Sequence, residues 1–198
     1  MGILSNIGML LAGSWASGIN LYLTISVLGI ANRFGFINLP GSLDVISHPI
    51  VIFCAGSLFL IEFFADKIPY VDSVWDSFHT AIRPAGGAAL AYLATTNVDP
   101  SLQLSAAMLC GAVSMDAHLT KATTRVAINT SPEPFTNTIA SVSEDSLVLV
   151  ALWLMIKHPI IAAVLVIAFI VFSIWFLRTM FRFLKAVFRI FSKRLEKS

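Results

Sequence analysis

The chain has 198 residues, of which 57% are hydrophobic and only 12% charged, with a mean hydropathy of +0.84. A soluble domain of this size carries roughly twice that charge, and the apolar residues here fall in runs of membrane-crossing length, which excludes a single soluble core. The net charge is only +2, yet seven of the 13 Lys and Arg follow Leu177, the pattern of a basic tail at a membrane surface and not of a nucleic-acid footprint.

The first apolar segment spans Ile3 to Ala31. It lacks a basic n-region and a small-residue cleavage pattern, so it is expected to stay as a span. Gly13 and Ser17 have the small-xxx-small spacing that admits a neighbouring backbone; a helix loosened at Gly18 is the alternative, and Asn20 needs a partner in hydrocarbon. Asn32 to His48 is a turn-rich connection, with Gly35, Pro40 and Gly41. Pro49 opens the second segment, where its missing N–H costs nothing, and this segment runs to Asp66.

From Lys67 to Ile82 the pattern has two faces. On a helix, Val71, Trp75, Phe78 and Ile82 share one side, and Asp72, Asp76, His79 and Arg83 the other. Such a stretch lies at an interface or lines a wet cavity. The third segment, Pro84 to Thr96, is short and rich in Gly and Ala, so it is packed tightly or merges with the stretch before it. The fourth starts at Ser101; if it continues as a helix, Ser114, His118, Lys121, Arg125 and Asn129 share a face while Asp116 points the other way. The Asn129-Thr130-Ser131-Pro132-Glu133-Pro134 stretch cannot be regular helix, and a re-entrant turn there would have to line a cavity or pack within protein. The fifth segment, Asn137 to Ile156, carries Glu144 and Asp145; the sixth, Ile160 to Leu177, is uncharged. Beyond it, Phe181, Leu184, Phe188, Phe191 and Leu195 form one stripe and Arg178, Arg182, Lys185 and Arg189 another. That amphipathic helix suits an anionic membrane surface.

The expected architecture is therefore all-α: a polytopic membrane bundle of six segments over residues 1–177, followed by a basic amphipathic helix over 178–198. Six spans place 11 of the 13 basic residues on one side, leaving Arg33 and Lys157 on the other; the positive-inside rule makes the basic side cytoplasmic, with both termini inside. Halves 1–97 and 98–177 would have opposite orientations, and whether they form an inverted repeat is open.

Charges within spans are costly, tend to face the protein interior and mark function. Glu62 and Asp66 lie one turn apart. Asp145 is followed by 11 uncharged residues, so it sits roughly 18 Å of helix rise from that end of its segment. The candidate substrate- or ion-binding residues are Glu62, Asp66, Asp76, His79, Arg83, His118, Lys121, Arg125, Asn129, Glu133, Glu144 and Asp145. Two readings of them are open: helix-end clamps in a scaffold or assembly partner, or a transport site whose acids carry protons or cations and whose bases hold an anionic lipid or small solute. No GxSxG, P-loop, HExxH or CxxC motif is present, so no enzymatic activity, metal or cofactor is expected. Cys54 and Cys110 lie in apolar segments and no disulfide is expected. The expected partners are membrane lipids, with anionic head groups at the C-terminal helix, and a second copy of the chain through the small-residue faces.

Several strings resemble domain-of-unknown-function family 4126: Asp66-Lys67-Ile68-Pro69, Asp72-Ser73-Val74-Trp75-Asp76, His79-Thr80, Arg83-Pro84, His118-Leu119-Thr120-Lys121-Ala122, Arg125, Asn129 to Pro134, and Glu144-Asp145. The resemblance covers Gly13 to Phe176 and implies a small multi-pass protein of the bacterial inner membrane. It carries no activity with it, but it makes the polar stretches the signature of the family.

Overall fold

The computed structural model describes residues 3–129 and 134–195, and every regular element among them is helical. The first expected segment is two helices, α1 (Ile3–Ile19) and α2 (Leu21–Arg33), divided at Asn20. Asn20 is extended, with φ −149° and ψ 99°, and its Oδ1 accepts from the Leu23 N–H at 2.9 Å. A side chain of this kind satisfies one of the four orphan N–H groups of a helix start, so α2 begins anew. The break falls at Asn20 and not at Gly18, because Gly18 is a packing residue: a Cβ there would lie 2.3 Å from the Ser114 carbonyl oxygen.

A 3-10 turn over Leu43–Ser47 leads to α3 (Pro49–Ala65), with Pro49 at its start and His48 as its cap. The two-faced stretch and the Gly/Ala stretch form one helix, α4 (Val71–Ala94), with Pro84 inside it. Its N-cap, Tyr70, has φ 73° and ψ −43°, a sparsely populated positive-φ conformation that costs a non-glycine residue about 1–3 kcal/mol. Then come α5 (Pro100–Asn129), α6 (Pro134–Lys157) and α7 (Pro159–Leu195), the last running without interruption from the sixth expected segment into the basic tail.

Two helices are long and apolar enough to cross a membrane, over Phe135–Lys157 and Pro159–Phe183, with mean hydropathy 1.8 and 3.0. The others expected as spans fall short for visible reasons: α1 and α2 are pieces of a broken segment, α3 is 17 residues long, and α4 and α5 carry charges within their length.

The central helix is α1, which packs against α2, α4, α5, α6 and α7. Small residues make this possible. Gly18 and Ser17 meet Ser114 on α5, and a Cβ on Gly87 of α4 would lie 2.6 Å from the Ser114 Cβ. The small-residue face expected to serve a second copy is thus used inside the chain. The distribution of polarity is inverted relative to a soluble protein: Glu62, Asp72, Arg83 and Arg125 are wholly buried, whereas Phe53, Phe64, Phe78 and Met108 are each more than 60% exposed.

Candidate functional site

The two faces of α4 decide the site. Asp72, Asp76, His79 and Arg83 turn inward and are buried, while Val71, Val74, Phe78 and Ile82 face out. From α5, Ser114, His118, Lys121 and Arg125 turn inward at intervals of one helical turn and are buried. The last turn of α3 brings Glu62, its C-cap is Asp66, and the first half of α6 brings Glu144. These segments all lie toward one end of the bundle and meet at the α1/α2 break.

Three cations organise the cluster. The Arg83 guanidinium donates to Glu62 Oε1 at 2.6 Å and to the Gly18 carbonyl at 3.2 Å, and its Nη2 lies 3.5 Å from Asp76. Lys121 Nζ donates to Asp66 at 2.9 Å and lies 3.4 Å from Glu62 and 3.5 Å from Glu144; it also donates to the Ile19 carbonyl at 3.4 Å. Arg125 grips Glu144 with two parallel bonds of 3.0 and 2.7 Å, a fork geometry that gives direction as well as attraction. Its remaining nitrogen donates to the Asp66 and Asn137 carbonyls at 3.2 and 3.1 Å. The carbonyls of Gly18 and Ile19 are orphans of the α1 C-terminus, the negative end of a helix dipole, and cations are their natural partners.

Donor counting assigns the histidines. Arg83 can only donate, so His118 Nδ1, 2.9 Å away, accepts, and the Nε2–H faces Thr80 Oγ1 at 3.1 Å. His118 is therefore the neutral Nε2–H tautomer. His79 Nδ1–H donates to the Trp75 carbonyl at 2.8 Å, and Tyr22 lies 2.9 Å from Nε2. At the rim, Asn129 donates to Asp72 and accepts from Asn137, both at 2.9 Å, and Asn20 donates to Asp145 at 3.0 Å. Outside the helices, Lys67 donates to the Phe63 carbonyl and sits over the Phe63 ring, and burial holds its amine below the usual lysine range. At the opposite end, the Ser101 hydroxyl and N–H hold Asp99 below the usual carboxylate range.

Of the expected site residues, Glu62, Asp66, Asp76, Arg83, His118, Lys121, Arg125 and Glu144 form one connected cluster; His79, Asn129 and Asp145 lie on its edges. Glu133 lies outside the described residues. Asp72, Tyr22 and Asn137 were missed as site residues. Asp72 shares the helical face of Asp76, His79 and Arg83, and that face could have flagged it. No pattern marks Tyr22, Asn137 or the α1 carbonyls, because their roles come from the chain break and from packing.

Fold and site together define an all-helical bundle built around a buried ion network. The chain belongs to the family described as domain of unknown function DUF4126, whose model matches residues 7–179. Neither the search of curated proteins nor that of solved structures finds a match.

Proposed function

We propose that the protein is a multi-pass membrane protein of the bacterial inner membrane and a small transporter, coupled to protons or a monovalent cation through its buried carboxylates. With α1 and α2 as one broken crossing, the chain crosses six times, and the positive-inside rule puts both termini in the cytoplasm. Apolar side chains outside and charged ones inside fit a bilayer as solvent. A broken helix whose terminal carbonyls face an ion cluster is a feature of transporter sites.

The observation that carries the reading is an imbalance. Six carboxylates, Glu62, Asp66, Asp72, Asp76, Glu144 and Asp145, surround three cations, and three buried oxygens, Glu62 Oε2, Asp66 Oδ1 and Asp76 Oδ2, have neither a hydrogen bond nor an ion pair among the described residues. Clamping helix ends needs neither the excess nor the open acceptors, and buried polar atoms without partners call for a proton, water or ion. Glu144, at 16% the most exposed of the paired acids, is the entry point. Protonating it releases the Arg125 fork, whose shape matches a carboxylate or phosphate; an anionic lipid head group or small anion then takes its place. On the outer face of α7, Arg178 and Arg182 lie beside the exposed Trp175, a surface suited to an anionic head group.

A second reading, a scaffold or assembly partner without enzymatic or transport activity, is favoured by the pairing of the cations: each is buried and held by at least one carboxylate. Flux separates the two. In proteoliposomes with a pH-sensitive dye inside, a pH gradient is expected to drive proton entry that Glu144→Gln abolishes. A short-chain fluorescent phosphatidylglycerol is expected to cross faster in acid with wild-type protein only. Flux no greater than in protein-free liposomes favours the scaffold, and equal flux above that level in both proteins overturns the role given to Glu144.

A further inference from the structure

Asp116 takes no part in the network. It projects from the opposite side of α5, toward α7, and no ion pair reaches it among the described residues. It is near the middle of α5, about 24 Å of helix rise from Pro100 and about 20 Å from Asn129. Its partner is Ser173, wholly buried within the most apolar stretch of the chain.

A single hydroxyl faces this carboxyl group. Ser173 Oγ lies 2.7 Å from Asp116 Oδ1, 2.6 Å from Oδ2 and 2.9 Å from the Ile170 carbonyl. A hydroxyl has one hydrogen and two lone pairs. If Asp116 were ionised, that one hydrogen would be shared between its two oxygens, and a carboxylate with no cation beside it would remain where spans exclude charge. A protonated Asp116 removes that charge: its O–H donates to Ser173 Oγ, and Ser173 is then free to donate to the Ile170 carbonyl. The charged groups on the surrounding elements do not compensate it. His118, Lys121 and Arg125 of α5 are engaged in the network, α1 has no ionisable side chain, and Arg178 of α7 lies five residues beyond Ser173.

We propose that Asp116 is a proton-binding site at the α5/α7 seam, separate from the ion network and open to hydrocarbon. It rests on the membrane reading but not on transport. The ligand is a proton, and the chemistry that reports it is that of a neutral carboxylic acid in an apolar setting. Such a group adds its own O–H across one C=N bond of a carbodiimide, giving an O-acylisourea that rearranges to a stable N-acylurea. The adduct gains the whole reagent, with no leaving group.

The test treats the full-length protein in liposomes with dicyclohexylcarbodiimide and maps the adduct by peptide mass spectrometry, so that no variant has to fold. Labelling at Asp116 is expected, falling several-fold as pH rises, and a water-soluble carbodiimide with an added amine is expected to leave Asp116 untouched. Asp116→Asn should remove that adduct alone. Absence of the dicyclohexylcarbodiimide adduct at acid pH, or labelling indifferent to pH, overturns the proton site. Labelling by the water-soluble reagent instead means that water reaches the seam, which overturns its placement in hydrocarbon.

Discussion

Removing one partner of the Arg125–Glu144 pair should be far more harmful than removing both. Arg125 is wholly buried and makes two short bonds to Glu144, with further bonds to Asp66 and Asn137. Arg125→Leu strands those acceptors and enlarges the excess of negative charge in the cluster. Breaking a buried pair from one side costs about 3–5 kcal/mol, roughly a hundred- to several-thousand-fold in the unfolding constant. Arg125→Leu/Glu144→Leu restores the original charge balance, and Lys121 keeps Asp66 and Glu62 as partners. The coupling energy of the cycle is therefore expected at about 1–3 kcal/mol, with the double variant more stable than Arg125→Leu. The measurement is unfolding of purified protein in mixed micelles with rising denaturing detergent, followed by helicity. Losses that add to within about 0.5 kcal/mol would mean that the two residues do not share the network described, and the account of its electrostatics would be wrong.

Packing at the bundle centre yields a paired prediction. Gly18→Ala forces a methyl against the Ser114 carbonyl and the Ala117 Cβ and should cost about 1–3 kcal/mol, whereas at Gly13 the new Cβ meets only Met155 Sδ at 3.5 Å, so Gly13→Ala should leave the melting temperature close to wild type. At the α1/α2 break, Asn20→Ala removes both the cap on Leu23 and the donor to Asp145 and should cost about 1–2 kcal/mol through the cap. Asn20→Asp keeps the cap but sets a carboxylate beside Asp145, so it should prove less stable than Asn20→Ser in the same detergent titration.

Composition and periodicity alone made α4 legible as a helix with Asp72, Asp76, His79 and Arg83 along one side, and α5 as a helix with His118, Lys121 and Arg125 along one side, because helical spacing is a local property of the chain. The same local logic placed the start of α3 at Pro49 and the turn before Ser101. Which side each face would take was a matter for the assembled bundle: the polar side of α4 turns inward only because α1 and α5 bring carbonyls and opposite charges to meet it. The chain break was half visible, since an asparagine inside an apolar run demands partners, but nothing near Asn20 names Asp145, 125 residues away, as one of them. Pairings such as Glu62 with Arg83, or Asp116 with Ser173, depend on where helices distant in sequence come to rest. Local spacing fixes which residues share a face; long-range packing alone decides which charge each face will find.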